Sequence, residues 1–360
     1  MLIYFILAHV QGKVNMEYRR LGRTGLKVSE VCLGTMTFGT NDWGIDETRS
    51  REIFNLAIEA GINFCDTANS YADGRSEHIL GKLIKETGNR DKLIIATKVF
   101  NPVGSDINDS GTSRWHIIAE IENSLRRLQT DYIDLYQVHH VDRETPTEER
   151  LRALDDLIRQ GKVRYIGCSN EYAWRLCDAL WISETKNFAR YESLQPKYNL
   201  LTRDIEEEIL PLCKEKEIGV VVWGPLAAGY LTGKYKPNQS ASERYRLNYT
   251  QVTMDDFLKP WIQQTVETLD RIAKDLDKSM AEVALRWVLD QDAITSVIVG
   301  ATKVEQIQSN VGCSGWQLGK ELVLQLNEVS SVPPRYPHSM EENMHLRRSD
   351  AVHMPILKGE

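Results

Sequence analysis

The chain has 360 residues, 42% of them hydrophobic and 26% charged, enough to bury one large core or two modest ones. That excludes a disordered chain, a collagen-like repeat and a small disulfide scaffold. With 51 acidic against 44 basic residues the net charge is -7, so there is no cationic field for a nucleic-acid backbone or an anionic membrane.

The chain opens on an apolar run, Met1 to Val10, ended by Gln11-Gly12-Lys13. It is too short for a transmembrane helix, which needs about 20 apolar residues, and it lacks the basic start and small-residue cleavage site of a signal peptide. Met16 is the more natural beginning, so residues 1–15 are expected to be an extension. Residues 16–334 are expected to form a single domain, with a polar tail over 335–360 draped on the surface or partly disordered. Tyr18 to Val28, centred on Gly22-Arg23-Thr24-Gly25, reads as a β-hairpin that could plug the bottom of a barrel.

Beyond the hairpin, short β-rich runs alternate with amphipathic helical patterns. The runs are 31–34, 62–65, 93–96, 133–138, 164–167, 191–194, 220–223 and 296–299. Ile118, Ile121, Leu125 and Leu128 mark one helical face, and Leu151, Leu154, Leu157 and Ile158 another. Thr145-Pro146-Thr147-Glu148 predicts a capping box opening the second of these helices, with Gly161 closing it. Eight βα units in about 300 residues predict an α/β fold, a single (β/α)8 barrel. The polar stretch of about 30 residues from Leu226 to Asp256 is long enough for a lid or ligand clamp. Cys32, Cys65, Cys168, Cys177, Cys213 and Cys313 are widely spaced, without C-x-x-C, and mostly inside apolar runs. They read as reduced core thiols, which points to the cytoplasm.

In such a barrel, reacting groups stand at the C-terminal ends of the strands. Asp66 follows the second run, Lys98 the third, His139 and His140 the fourth, Ser169-Asn170 the fifth and Gln195 the sixth, while Trp223 ends the seventh. Tyr71, five residues past Asp66, can reach over the same mouth. Plainer alternatives exist: Asp66 could be a helix cap, Lys98 a surface cation, and the two histidines a structural one beside a surface one, or two metal ligands. A lysine against a closed apolar barrel needs a counter-ion, and Asp66 is the nearest. There is no G-x-G-x-x-G, no Walker loop and no G-x-S-x-G elbow.

These strings carry a resemblance. Leu33 to Gly39, Asp66 to Tyr71 with Gly74 to Glu77, Ala96-Thr97-Lys98, Asp131 to His139, Gly167 to Asn170, Gln195 to Asn199, and Gly300-Ala301-Thr302 appear in the order found in aldo-keto reductases. From about Tyr18 to Pro334 the chain resembles that family, in its bacterial, channel-β-subunit-like branch. The resemblance implies a catalytic tetrad of Asp66, Tyr71, Lys98 and His139. Carbonyl reduction needs a proton donor opposite the hydride, and an ammonium beside a tyrosine favours its phenolate and lowers its pKa. His139 would orient the carbonyl oxygen.

The resemblance further carries over Ser169, Asn170 and Gln195 as contacts to a nicotinamide carboxamide, and Trp223 as the aromatic stacked on its ring. Gly34, Thr35, Met36, Gly224, Pro225 and Leu226 follow as cofactor contacts, and Gly300, Thr302, Lys303, Gln306 and Asn310 as the adenosine end. The branch often has arginine where this chain has Thr302, and Lys303 is placed to stand in for it, which favours NADPH over NADH. Met36 and His140 would line the substrate pocket, with His140 standing where the family often has tryptophan. The implied function is reduction of aldehydes and ketones by a cytoplasmic monomer or weak homo-oligomer, with no nucleic-acid or membrane partner. The competing reading is a nicotinamide-binding regulatory protein of the channel-β-subunit type. A metal-dependent barrel hydrolase would need more ligands at the strand ends than the sequence offers.

Overall fold

The computed structural model describes residues 15–41, 43–235 and 259–340. Strands β1 (Tyr18–Arg20) and β2 (Lys27–Ser29) pair antiparallel as the expected hairpin. Eight parallel strands then close a barrel in the order β10-β3-β4-β5-β6-β7-β8-β9. They are β3 (Val31–Gly34), β4 (Phe64–Asp66), β5 (Ile94–Val99), β6 (Ile133–Val138), β7 (Val163–Ser169), β8 (Tyr191–Gln195), β9 (Gly219–Val222) and β10 (Ile294–Val299). All eight sequence runs become these strands, two of them with the same ends and the others with ends moved by at most three residues.

Helices lie outside the barrel because each carries one apolar stripe that must be buried against the strands. They are α1 (Glu47–Glu59), α2 (Arg75–Thr87), α3 (Arg114–Leu128), α4 (Thr147–Arg159), α5 (Ala173–Lys186), α6 (Ile209–Glu215), α7 (Pro260–Asp275), α8 (Met280–Leu289), α9 (Val304–Val311) and α10 (Lys320–Val329). On α3 the buried face runs through Ile117, Ile121, Leu125 and Leu128, with Ile118 at its edge rather than on it. The capping box expected for α4 does not form: Pro146 is the N-cap residue and no side chain caps the helix. Asp142 instead accepts from the Glu144 and Thr145 amides, holding the turn just upstream. Gly161 does follow that helix with a positive φ of 74°.

Alternation along the strands divides the core in two. Val31, Leu33, Cys65, Ile95, Tyr136 and Val138 face the helices. Cys32, Phe64, Ile94, Ala96, Leu135 and Val221 fill the barrel, joined by Leu21 and Val28 of the hairpin. The hairpin therefore plugs the bottom. Gly22, at φ +57°, makes the fit possible, since a Cβ there would come within 2.6 Å of the Glu217 carbonyl oxygen.

Five of the six cysteines are buried and Cys177 is exposed; all six are free thiols. Burial pushes Cys65 and Cys213 up to about 12, so neither is a nucleophile near neutrality. No helix among the described residues is long and apolar enough to cross a membrane. Of the expected lid, only Leu226–Tyr235 is described, with a short 3-10 segment over Ala227–Thr232. The rest of that stretch, nearly all of the N-terminal extension and most of the tail lie outside the described residues.

Candidate active site

The same alternation that sends Phe64, Ala96 and Leu135 inward sends Asp66, Lys98 and Gln137 inward one step nearer the mouth. Strand register then sets them side by side: Asp66 pairs with Ala96, and Lys98 with Gln137. Lys98 is fully buried and ion-paired with the equally enclosed Asp66. Its ammonium also donates to the Thr67 carbonyl at 2.8 Å and reaches Tyr71 Oη at 3.3 Å. Burial works against the Lys98 charge, but Asp66 and Tyr71 together outweigh it and raise its pKa, so the ammonium persists.

Tyr71 sits at the start of a short 3-10 segment, Tyr71–Gly74, which leads into α2. The segment is tied to the barrel, since the Asn69 amide donates to the Lys98 carbonyl at 3.2 Å. Burial pushes the Tyr71 phenol above its usual pKa, and the opposing pull of Lys98 does not overcome it. This corrects the expectation of a lowered value. The phenol therefore keeps its proton at neutral pH, and the Lys98 ammonium lies within reach of its oxygen.

His139 follows β6, its amide held by the Val99 carbonyl at 3.0 Å. Its ring meets Tyr71 edge-on with centroids 5.7 Å apart. Burial, then Lys98 and His140, hold its pKa well below the usual histidine range, so it is neutral. Behind the tetrad, Glu77 and Glu120, both buried, bind Arg127 at 2.6 and 3.3 Å. Glu120 also accepts from Asn69 at 2.9 Å, which braces the loop carrying Tyr71.

Asp66, Tyr71 and His139 open on a cleft of about 440 Å³, within the range of small-molecule sites. Gly34, Thr35, Met36, His140, Ser169, Asn170, Gln195, Trp223, Gly224, Pro225, Leu226 and Gly300 line it as well. The polar atoms are largely engaged with one another. Ser169 Oγ donates to the Gln195 carbonyl at 2.8 Å, and Asn170 Nδ2 donates to the His139 carbonyl at 3.1 Å. Thr35 lines the wall with its hydroxyl turned to the Asp66 carbonyl at 3.1 Å and to Ser76 at 2.9 Å. The Gln195 amide is directed at Asp66 Oδ2, 2.8 Å away.

Thr302 and Lys303 stand apart, at the turn into α9 that continues from Gly300, with Gln306 and Asn310 on the helix itself. Gln306 accepts from the Thr302 and Lys303 amides at 2.8 and 3.2 Å, while the Lys303 side chain is exposed.

Among the residues not anticipated from the sequence, Asn101 and Trp43 line the cleft, and Gln137 is buried against Asp66. Gln137 donates to Asp66 Oδ2 at 3.2 Å, and its place two residues before His139 on an inward face was a readable signal. Asn101 Nδ2 lies 3.3 Å from His139 Nδ1 and 3.2 Å from Ser70 Oγ. Trp43 comes from the loop before α1. Nothing in the local pattern of either marks it. No cluster of three or more His, Cys, Asp or Glu side chains able to hold a metal occurs among the described residues.

A buried Asp–Lys pair under a tyrosine, with a histidine beside it at the C-terminal mouth of a (β/α)8 barrel, is an arrangement that can give up and hold a proton. Residues 30–331 match the model of the Aldo/keto reductase family, and the chain belongs to that family of oxidoreductases. It is 40% identical over 328 residues to an uncharacterized oxidoreductase, YrpG, of Bacillus subtilis, spanning 88% of this chain and 97% of that protein. It is 37% identical to the aldo-keto reductase YhdN of the same bacterium, over 87% of this chain and 93% of that one. It is also 37% identical to a putative voltage-gated potassium channel subunit beta of Schizosaccharomyces pombe, over 91% and 96% of the two chains.

Aldo-keto reductases generally use nicotinamide cofactors, and the cleft fits a flat ring of that kind. The Trp223 side chain is 36% exposed at the wall. Its Nε1 is fixed on Asn170 Oδ1 at 2.9 Å. Ile298, Val299, Pro225 and Leu226 give apolar lining, and Gly300 adds no side chain.

Proposed function

We propose that the chain reduces aldehydes and ketones to alcohols with NADPH, Tyr71 giving the proton. The observation that carries this reading is the 3.3 Å approach of Lys98 Nζ to Tyr71 Oη on a lysine pinned by Asp66. A bound nicotinamide would supply the hydride to the carbonyl carbon. Tyr71 Oη gives its proton to the carbonyl oxygen, and Lys98 holds the resulting phenolate until solvent restores it. Neutral His139 donates a hydrogen bond to the same oxygen and orients it. Trp223, Asn170 and Ser169 hold the ring, and Lys303 takes a 2′-phosphate, which favours NADPH over NADH.

The substrate is a small carbonyl compound, and the protein works in the cytoplasm as a monomer or weak homo-oligomer. The acidic net charge and the buried thiols support this. A regulatory role beside the reductase activity has one specific support, the similarity to a protein named as a channel β-subunit.

Following NADPH oxidation at 340 nm with a nitrobenzaldehyde, alongside NADPH binding by fluorescence, tests the reading. Binding with turnover supports the reductase. Binding without turnover favours the regulatory role, and no binding removes both.

A further inference from the structure

Three of the loops that carry the cleft wall are fastened to one another by charged side chains that do not line it. Asn101 comes from the β5–α3 loop (100–113), His139 and His140 from the β6–α4 loop (139–146), and Asn170 from the β7–α5 loop (170–172). Asp142 joins the first two loops, accepting from the Thr112 amide at 2.8 Å and the Thr112 hydroxyl at 2.6 Å. Its other oxygen holds the Glu144 and Thr145 amides at 2.8 and 3.1 Å. Burial works against the Asp142 charge, but these donors outweigh it and hold its pKa down to about 2, so this anchor stays ionised.

Arg175, the third residue of α5, joins the second loop to the third. Its Nη2 donates to the Asp142 carbonyl at 2.7 Å and its Nε to Glu171 Oε1 at 3.1 Å. Glu171 is buried, and its other oxygen lies 3.7 Å from Nη2 of the buried Arg150 on α4. Glu171 directly follows Asn170, whose backbone is left-handed with φ +56°. From that position Asn170 Nδ2 donates to the His139 carbonyl at 3.1 Å, and Oδ1 accepts from Trp223 Nε1 at 2.9 Å. Asn170 therefore stands between the end of β7 and a carboxylate held in place. A guanidinium can serve two loops at once through its planar fork, whereas a lysine offers one nitrogen.

We propose that Arg175 is a positioning residue for cofactor binding: it clasps the β7–α5 loop to the β6–α4 loop and so keeps Asn170 in the arrangement that receives a nicotinamide. The proposal rests on the nicotinamide reading above and acts through Asn170. Asp66, Lys98 and Tyr71 come from β4, β5 and the segment after β4, outside these contacts, so proton donation at saturating cofactor is spared.

The test uses the full chain, with NADPH Kd from fluorescence titration and kcat for a nitrobenzaldehyde at saturating NADPH. In Arg175→Met the Kd should rise by about 5- to 20-fold, as the binding arrangement of the loop becomes a minor fraction of the population, with kcat within about threefold of wild type. Arg175→Lys keeps the charge without the fork and should raise Kd by about 2- to 10-fold, the worth of one hydrogen bond. It excludes a simple loss of positive field, and it carries the comparison if Arg175→Met does not fold. In an Asn170→Ala background, which weakens binding itself, either substitution should add less than about twofold, because the side chain that Arg175 places is gone. A general loosening of the fold would add its full factor there and lower kcat too. That outcome overturns the proposal, as does an unchanged Kd in the folded variants. If the wild-type protein binds no NADPH, the cofactor reading fails and the proposal with it, before any variant is made.

Discussion

Gln195 Nε2 lies 2.8 Å from Asp66 Oδ2, on the carboxylate oxygen that Lys98 does not use. Gln137 reaches the same oxygen at 3.2 Å and accepts from Gln195 at 3.3 Å. Two amides from β6 and β8 thus hold the carboxylate that holds the lysine. The resemblance to the family implies a place for Gln195 against the nicotinamide; the residue lines the cleft, and its Nε2 is directed at Asp66.

Gln195→Leu should accordingly lower stability by about 1–3 kcal/mol, the worth of a hydrogen bond to a charged group, and lower kcat by about tenfold as Lys98 loses a firm anchor. Thermal melting with steady-state kinetics checks this. A raised KM for NADPH with unchanged melting would return Gln195 to the cofactor.

Tyr71→Phe removes one oxygen and keeps the ring that shapes the cleft. Cofactor binding should survive, because Trp223, Asn170 and Ser169 are untouched. General acid catalysis is worth about 10²–10⁴-fold, so kcat for an activated aldehyde should fall by at least about two decades. Lys98→Met should do comparable damage, and the double variant should be little worse than either alone, since both act on one proton. Retention of more than about a tenth of wild-type kcat in Tyr71→Phe, with a deuteride isotope effect showing hydride transfer to be rate-limiting, would remove Tyr71 as the donor.

Lys303→Glu places a negative charge where a 2′-phosphate is proposed to sit, on an exposed side chain at the turn into α9. NADPH affinity should drop by about 5- to 150-fold, from about 1–3 kcal/mol for a charge-assisted contact, while NADH affinity should hold. Fluorescence titration with both cofactors decides it, and equal NADPH affinity in variant and wild type would exclude Lys303 as the phosphate ligand.

His139 gives a pH dependence with a definite sign. Its folded pKa is depressed by burial first, so below about pH 6.5 the unfolded chain binds a proton that the folded chain refuses. Stability therefore rises with pH through that range and is lost as pH falls below it. His140 acts in the same direction. Between pH 7 and pH 5.5 the melting temperature should fall, and in His139→Gln it should fall by about 1–4 °C less. Parallel pH profiles in the two proteins would mean that His139 is not the group responsible.

The barrel was legible in the sequence because its signals are local and repeated. Eight β-rich runs at regular intervals, with helical stripes between them, admit few other closures. The hairpin was legible from one turn. Where the sequence reading missed, several residues competed for one role. Pro146 displaced the capping box of α4 because Asp142 already organises that turn, and Ile117 took the buried place on α3 that spacing alone assigned to Ile118.

The strand ends named most of the site, because in a parallel barrel every residue two beyond an inward apolar one also faces inward. What sequence could not give is the state of those groups. The Tyr71 phenol lies above its ordinary pKa because burial outweighs the neighbouring ammonium, a balance between one distance and the desolvation of the hydroxyl. His139 and His140 lie beside the amides of Asn101 and Asn170, which meet them only when the barrel closes. Residue identity and order determined the fold and the list of reactive side chains. Their charge and mutual support were decided by contacts between strands far apart in the chain, which local pattern does not encode.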